Sequence, residues 1–200
     1  MAHQPSLFEV IKKPTIAVVD LETTGFLNQK GLIVEIGIVS LDLGSGTIKE
    51  EFNSLVREPG FNAAHARPPY GWIFQNSSLS FEEVEKAPSL HELFDEIQAV
   101  INKFPAGITA YNAAFDLPFL QSRRFSFKKL PCPMLAATPV LNLPPAGYRK
   151  EPKWPTVQES WDYLFGNTGY DEQHRALDDA LHEAEIVYEL YKMGAYKLTA

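Results

Sequence analysis

TIAVVDLET, residues 15–23, is an apolar, β-branched run broken near its end by two acids, Asp20 and Glu22. The apolar part reads as a buried central strand. Side chains alternate across a strand, so Asp20 and Glu22 share one face. Either the strand ends near Val19 and both acids are solvated, or the fold holds two carboxylates inside for a purpose, since buried unpaired acids are rare. Thr23, Thr24 and Gly25 follow at the strand end, where α/β folds place ligands.

Outward from this strand, Leu32 to Leu43 (LIVEIGIVSLDL) reads as a second strand and Thr47 to Val56 as a third. Asp42 to Gly46 is the hairpin turn between them. Ser89 to Phe104 has the spacing of an amphipathic helix, with Ser89 as N-cap and Glu92 three residues later. Gly107 to Tyr111 reads as a short strand, and a helix follows through Phe119 to Arg124. Met134 to Thr138 reads as a fifth strand. Leu141 to Pro155 is a proline-rich loop, and Thr156 to Phe165 and Ala176 to Lys192 read as helices. The pattern predicts an α/β fold with a mixed five-stranded sheet flanked by helices. It forms a single domain over residues 15–200, after a flexible N-terminal arm over residues 1–14.

At 200 residues the chain can bury a full core, and its 45% apolar and 22% charged content is that of an ordinary globular protein. The net charge of −7 argues against a protein that coats nucleic acid without regard to sequence. It leaves open an enzyme acting on nucleic acid with metals supplying local positive charge. A single cysteine, Cys132, excludes an internal disulfide framework and suits a reducing cytoplasm. No signal peptide and no membrane-spanning run is expected.

Two further motifs carry acids, YNAAFDLPFL (Tyr111 to Leu120) and HRALDDA (His174 to Ala180). Asp116 alone reads as a helix N-cap, with Pro118 in the first turn. On the last helix, Asp178, His182, Glu185, Glu189 and Lys192 share a polar stripe at 100° per residue. Asp178 therefore faces solvent, whereas Asp179 falls inside the edge of the apolar arc. Glu183 lies one turn beyond Asp179 on the same side, without an assignment. His174 sits at or before the helix start. Four acids brought together would raise one another's pKa unless cations neutralise them. Hard oxygen ligands favour Mg²⁺ or Mn²⁺.

D-x-E-T-T-G, N-A-x-F-D and H-x-A-x-x-D-A, in this order from roughly Thr15 to Leu190, resemble the DEDDh 3′→5′ exonuclease family, which includes proofreading subunits of bacterial DNA polymerases. The resemblance implies a ribonuclease H-like fold. It implies that Asp20, Glu22, Asp116 and Asp179 hold two divalent ions, Mg²⁺ or Mn²⁺, and that His174 is the general base. It implies hydrolysis of terminal phosphodiesters of single-stranded or frayed nucleic acid to nucleoside 5′-monophosphates, with the backbone around Thr23 and Thr24 meeting the terminal 3′-hydroxyl. DNA proofreading or repair is the expected role, against RNA 3′-end trimming, an oligonucleotidase or a non-catalytic binding module. Two positions depart from the pattern: Tyr111 stands where relatives often have His, and Glu183 where a small or apolar residue is usual.

Other features stay open between binding and structure. Tyr70, Trp72 and Phe74, near Phe61, His65, Arg57 and Arg67, either stack unpaired bases or form one buried aromatic face. Tyr148, Arg149, Lys150, Lys153 and Trp154, with Arg123 and Arg124, either guide a strand or are solvated. Gln4, Leu7 and Phe8 belong to QPSLF, similar to the peptides that bind bacterial sliding clamps. Leu7 and Phe8 otherwise staple the arm to the domain.

Overall fold

The computed structural model describes residues 13–148 and 150–198. Arg149 and the peptide containing Gln4, Leu7 and Phe8 lie outside the described residues. The strands are β1 (Thr15–Thr23), β2 (Ile33–Asp42), β3 (Ile48–Leu55) and β4 (Ile108–Thr109), in the order β3-β2-β1-β4. β1 and β3 pair antiparallel with β2, and β4 pairs parallel with β1. The helices are α1 (Ile73–Asn76), α2 (Phe81–Glu85), α3 (Leu90–Asn102), α4 (Ala113–Ser122), α5 (Pro133–Leu141), α6 (Val157–Phe165) and α7 (Ala176–Lys192). Among the described residues no helix is long and apolar enough to cross a membrane.

Alternation along β1 divides the core. Ala17, Val19 and Leu21 pack with Ile97, Val100 and Leu117 of α3 and α4. Ile16 and Val18 pack on the other face with α5, α6 and α7, against Ala180, Ala184 and Val187. Asp20 and Glu22 continue the row of Ile16 and Val18, so their face is the one that α7 covers. The hairpin turn forms as its residues predict: the Asp42 carboxylate accepts from the amides of Gly44 and Ser45. Ser89 and Thr156 cap α3 and α6 in capping boxes with Glu92 and Glu159.

The expected fifth strand at Met134 to Thr138 is instead part of α5. Pro133 begins that helix, and Met134, Leu135, Ala136 and Ala137 are good helix formers. The place beside β4 is taken by Lys128 to Leu130, which forms one isolated parallel bridge, Ile108 to Lys129. Pro131 follows at once and can donate no ladder hydrogen bond. Among the described residues the sheet thus has four strands.

Candidate active site

The site lies where the acidic end of β1 meets the first turn of α7. β2 pairs Asp20 with Gly37 and Glu22 with Glu35. Gly37 has no side chain where α7 arrives. A Cβ there would lie 2.2 Å from the Ala176 carbonyl oxygen. The helix start therefore presses onto the sheet beside Asp20, and Asp179, one turn in, turns toward β1.

A cleft of about 160 Å³ is lined by Asp20, Glu22, Asp116, His174, Asp179 and Glu183, among others. All five residues singled out by the three motifs therefore open onto one cavity. Ligand atoms of Glu22, His174 and Asp179 lie within 4.8 Å of one another. Asp116 is buried in the first turn of α4, whose N-cap position belongs to Asn112, so it is an inward acid and not the cap. Asp179 is buried and accepts the Arg175 amide at 3.1 Å. Asp178 is half-buried on the outer side, 3.6 Å from His182. His174 has φ 52, a left-handed backbone costly outside glycine, and its ring meets the edge of Trp72 at 4.9 Å.

Electrostatics suit this cleft to a cation. Burial, then the neighbouring carboxylates, push Glu22 up to about 9. Burial likewise pushes Asp116 and Asp179 up to about 7, and backbone amides offset part of the effect at each. Asp20 and Glu183 are held well above the ordinary carboxylate range, by burial first and by nearby acids next. Glu172, at the rim, is raised by burial and partly relieved by His174. Clustered carboxylates with an imidazole at ligand distance fit a divalent cation.

A second cavity of about 480 Å³ opens beside Glu22, lined by Thr23, Thr24, Phe26, Trp72 and Phe115 among others. Thr24 is committed to the loop: its amide donates to Leu32 and its hydroxyl accepts from the Leu32 amide. Phe26 and Phe115 meet edge to face on one wall. The aromatic segment resolves by residue. Phe61 stacks on Phe81 and His65, Phe74 packs on Phe61 and Phe81, and Tyr70 lies against His65 while donating to the Gln29 carbonyl. Trp72 stays exposed over the cavity.

The basic residues divide as well. Arg123 is bound bidentate to buried Glu58 and also reaches the Gly31 carbonyl, so it holds the loop after β1. Lys153 pairs with Glu159. Glu35 lies outside the sequence motifs and Arg175 is a variable position inside the third one, yet the two brace the site through several hydrogen bonds. The rule that marks Asp20 and Glu22, an acid inside an apolar strand, marks Glu35 too.

Comparison with known proteins places these features. The exonuclease family model RNase_T matches residues 17–187. The PolC-type DNA polymerase III of Clostridium perfringens (strain 13 / Type A) is 28% identical over 175 residues, which cover 88% of this chain and 11% of that protein. The chain thus spans only a small part of that relative's length. Among solved structures, the nuclease domain of 3′hExo, a DEDDh family member bound to rAMP, superposes with a TM-score of 0.68 at 15% identity, covering 95% of this chain and 98% of that one. A 3′-exonuclease that recognises the 3′ end of histone mRNA stem-loop gives 0.66 at 15% identity, over 92% and 84%. Cell-death related nuclease 4 gives 0.64 at 16%, over 92% and 65%. At these identities the likeness is one of fold.

Proposed function

The chain belongs to the RNase_T exonuclease family, and from that premise we propose that it removes nucleotides from the 3′ end of single-stranded or frayed nucleic acid as nucleoside 5′-monophosphates. The observation that carries this reading is the meeting of Asp20 and Glu22 on β1 with His174 and Asp179 at the start of α7, around one acidic cleft. Asp20, Glu22, Asp116 and Asp179 would hold divalent ions, Mg²⁺ or Mn²⁺. When bound, these supply Lewis-acid stabilisation and a lowered pKa for water.

The chain's own residues do the rest. The terminal base enters the cavity between Trp72 and the wall of Phe26 and Phe115, where stacking holds it regardless of sequence. The backbone at Thr23 and Thr24 lies beside it and faces the terminal sugar. A nitrogen of the His174 imidazole takes the proton of the attacking water. The water oxygen bonds to the terminal phosphorus, the bond from phosphorus to the 3′ oxygen of the penultimate nucleotide breaks, and that oxygen leaves with a proton from solvent.

DNA is the proposed substrate, in proofreading or repair, because the curated relative is a DNA polymerase. RNA trimming is the second reading, favoured by the fold shared with a histone mRNA exonuclease and an rAMP-bound nuclease domain. Incubation with end-labelled DNA and RNA, in Mg²⁺, Mn²⁺ or chelator, tests all of this together. A ladder receding from the 3′ end is the expected result, and no metal-dependent release from either polymer overturns the proposal.

A further inference from the structure

Glu35 is the one charged residue inside the apolar run of β2, and its exposure is 2%. It lies opposite Glu22 on the face that α7 covers. A carboxylate there has the burial and the place of another metal ligand. Its hydrogen bonds assign it elsewhere. Oε1 accepts from Arg175 Nη2 at 2.7 Å, and Oε2 from Arg175 Nε at 3.0 Å and from the Ala176 amide at 3.1 Å. Arg175 Nη1 donates onward to Ser78 Oγ at 3.0 Å.

These bonds do something that α7 cannot do for itself. Its N-cap residue, Arg175, offers no side-chain acceptor to the first-turn amides. Glu35 supplies one from another strand, as a negative charge at the positive end of the helix. Next to the clamp stands His174 in its left-handed conformation, which persists only where surroundings enforce it. Trp72 touches its ring, and the clamped Arg175 fixes the peptide that follows it. The Arg175 amide is also the donor that orients Asp179. One guanidinium–carboxylate pair thus lies behind both His174, just before α7, and Asp179, in its first turn, the two residues that face Glu22.

We propose that Glu35, acting through Arg175, is a positioning residue of the nuclease: it sets the first turn of α7 so that His174 and Asp179 close on Glu22, and it is not itself a metal ligand. This rests on the exonuclease reading above. The test uses the full chain with Glu35→Gln and, separately, Arg175→Gln, each shown to melt above the assay temperature. Arg175 is 37% exposed, so its variant carries the test if Glu35→Gln does not fold. With Mg²⁺ and end-labelled single strands, kcat should fall about tenfold or more in both variants while KM moves less than about threefold, since misplaced reacting groups cost turnover before binding. Calorimetry should show the same loss of Mn²⁺ affinity in both, within about threefold.

A kcat within about threefold of the parent in a folded variant overturns the proposal. So does a KM rise that matches the fall in kcat. Weakened Mn²⁺ binding in Glu35→Gln alone also overturns it, because that is the behaviour of a ligand. If the parent protein releases no nucleotide from DNA or RNA, the exonuclease reading fails by itself, and the Mn²⁺ comparison still decides the role of Glu35.

Discussion

Raising the pH from about 5.5 to about 8 should destabilise the metal-free protein, and a divalent cation should reverse the loss. Asp116 and Asp179 move from 3.8 to about 7 on folding, chiefly through burial. Between those values the folded state keeps protons that the unfolded chain has released, so stability falls as pH rises through that window. From pH ~5.5 to ~7 each group loses about 2 kcal/mol, at ~1.36 kcal/mol per pH unit. Water entering the cleft as the acids ionise reduces the joint effect by about half, to about 2 kcal/mol. For a chain of this size that is roughly 4–8 °C in Tm. Glu22, pushed up to about 9, adds in the same direction up to pH ~8. A cation at about a hundred times its Kd returns ~2.7 kcal/mol, and it does so mainly at the higher pH, where protons no longer compete for the carboxylates. Thermal melts at both pH values, with chelator or Mn²⁺, measure all four states. The double variant Asp116→Asn/Asp179→Asn should reduce the metal-free pH dependence and leave the part that Glu22 contributes. A metal-free Tm that is unchanged or higher at pH ~8, or a Mn²⁺ increment equal at the two pH values, would refute the reasoning.

Asp20→Asn and Asp179→Asn should each cut nucleotide release by about a thousandfold or more without unfolding the protein, whereas Asp178→Asn should stay within about twofold; labelled-end assays beside circular dichroism check both. Gly37→Ala should cost on the order of 1–3 kcal/mol in denaturant melts, because its Cβ would lie 2.2 Å from the Ala176 carbonyl oxygen and push α7 off the sheet. Trp72→Ala should raise KM about five- to tenfold for an ordinary single strand and leave a strand ending in an abasic sugar unaffected. Equal effects on the two substrates would remove Trp72 from base stacking.

Much of this was legible in the residues because it depends on local periodicity. Alternation along β1 places Asp20 and Glu22 together. Helical phase alone separates Asp179 from Asp178, and the buried and half-buried states of the two follow it. The hairpin and the two serine- and threonine-capped helices are equally local. Asp116 was not legible in this way: the local rule makes it an N-cap, whereas the chain enters α4 at Asn112 and places Asp116 within the first turn. The fifth strand failed for a related reason. An apolar run of five residues fits strand or helix, and Pro133 decided it by fixing a helical start. Arg123 reads as a residue that either guides a strand or is solvated, and nothing in the sequence singles out Arg175. Only tertiary contact shows that each is bound to a buried glutamate far away in sequence, Glu58 and Glu35.

Glu183 and Tyr111, the two departures from the family pattern, turn out to meet. The Glu183 carboxylate accepts the Tyr111 amide at 3.1 Å, at the end of β4, where that donor would otherwise be buried without a partner. The Tyr111 hydroxyl reaches the start of α6, at Thr156 and Ser160. A chain of contacts therefore runs from α7 through the β4–α4 junction to α6, and Asp116 stands four residues beyond that junction's Asn112. Burial and the charge of Asp116 hold Glu183 toward its protonated form. After burial, the charge of Glu183 in turn raises Asp20, ahead of the effects of Asp116, Glu22 and Asp179, so the fifth carboxyl ties the β4–α4 junction to the acid cluster and adds to the repulsion that a divalent cation relieves.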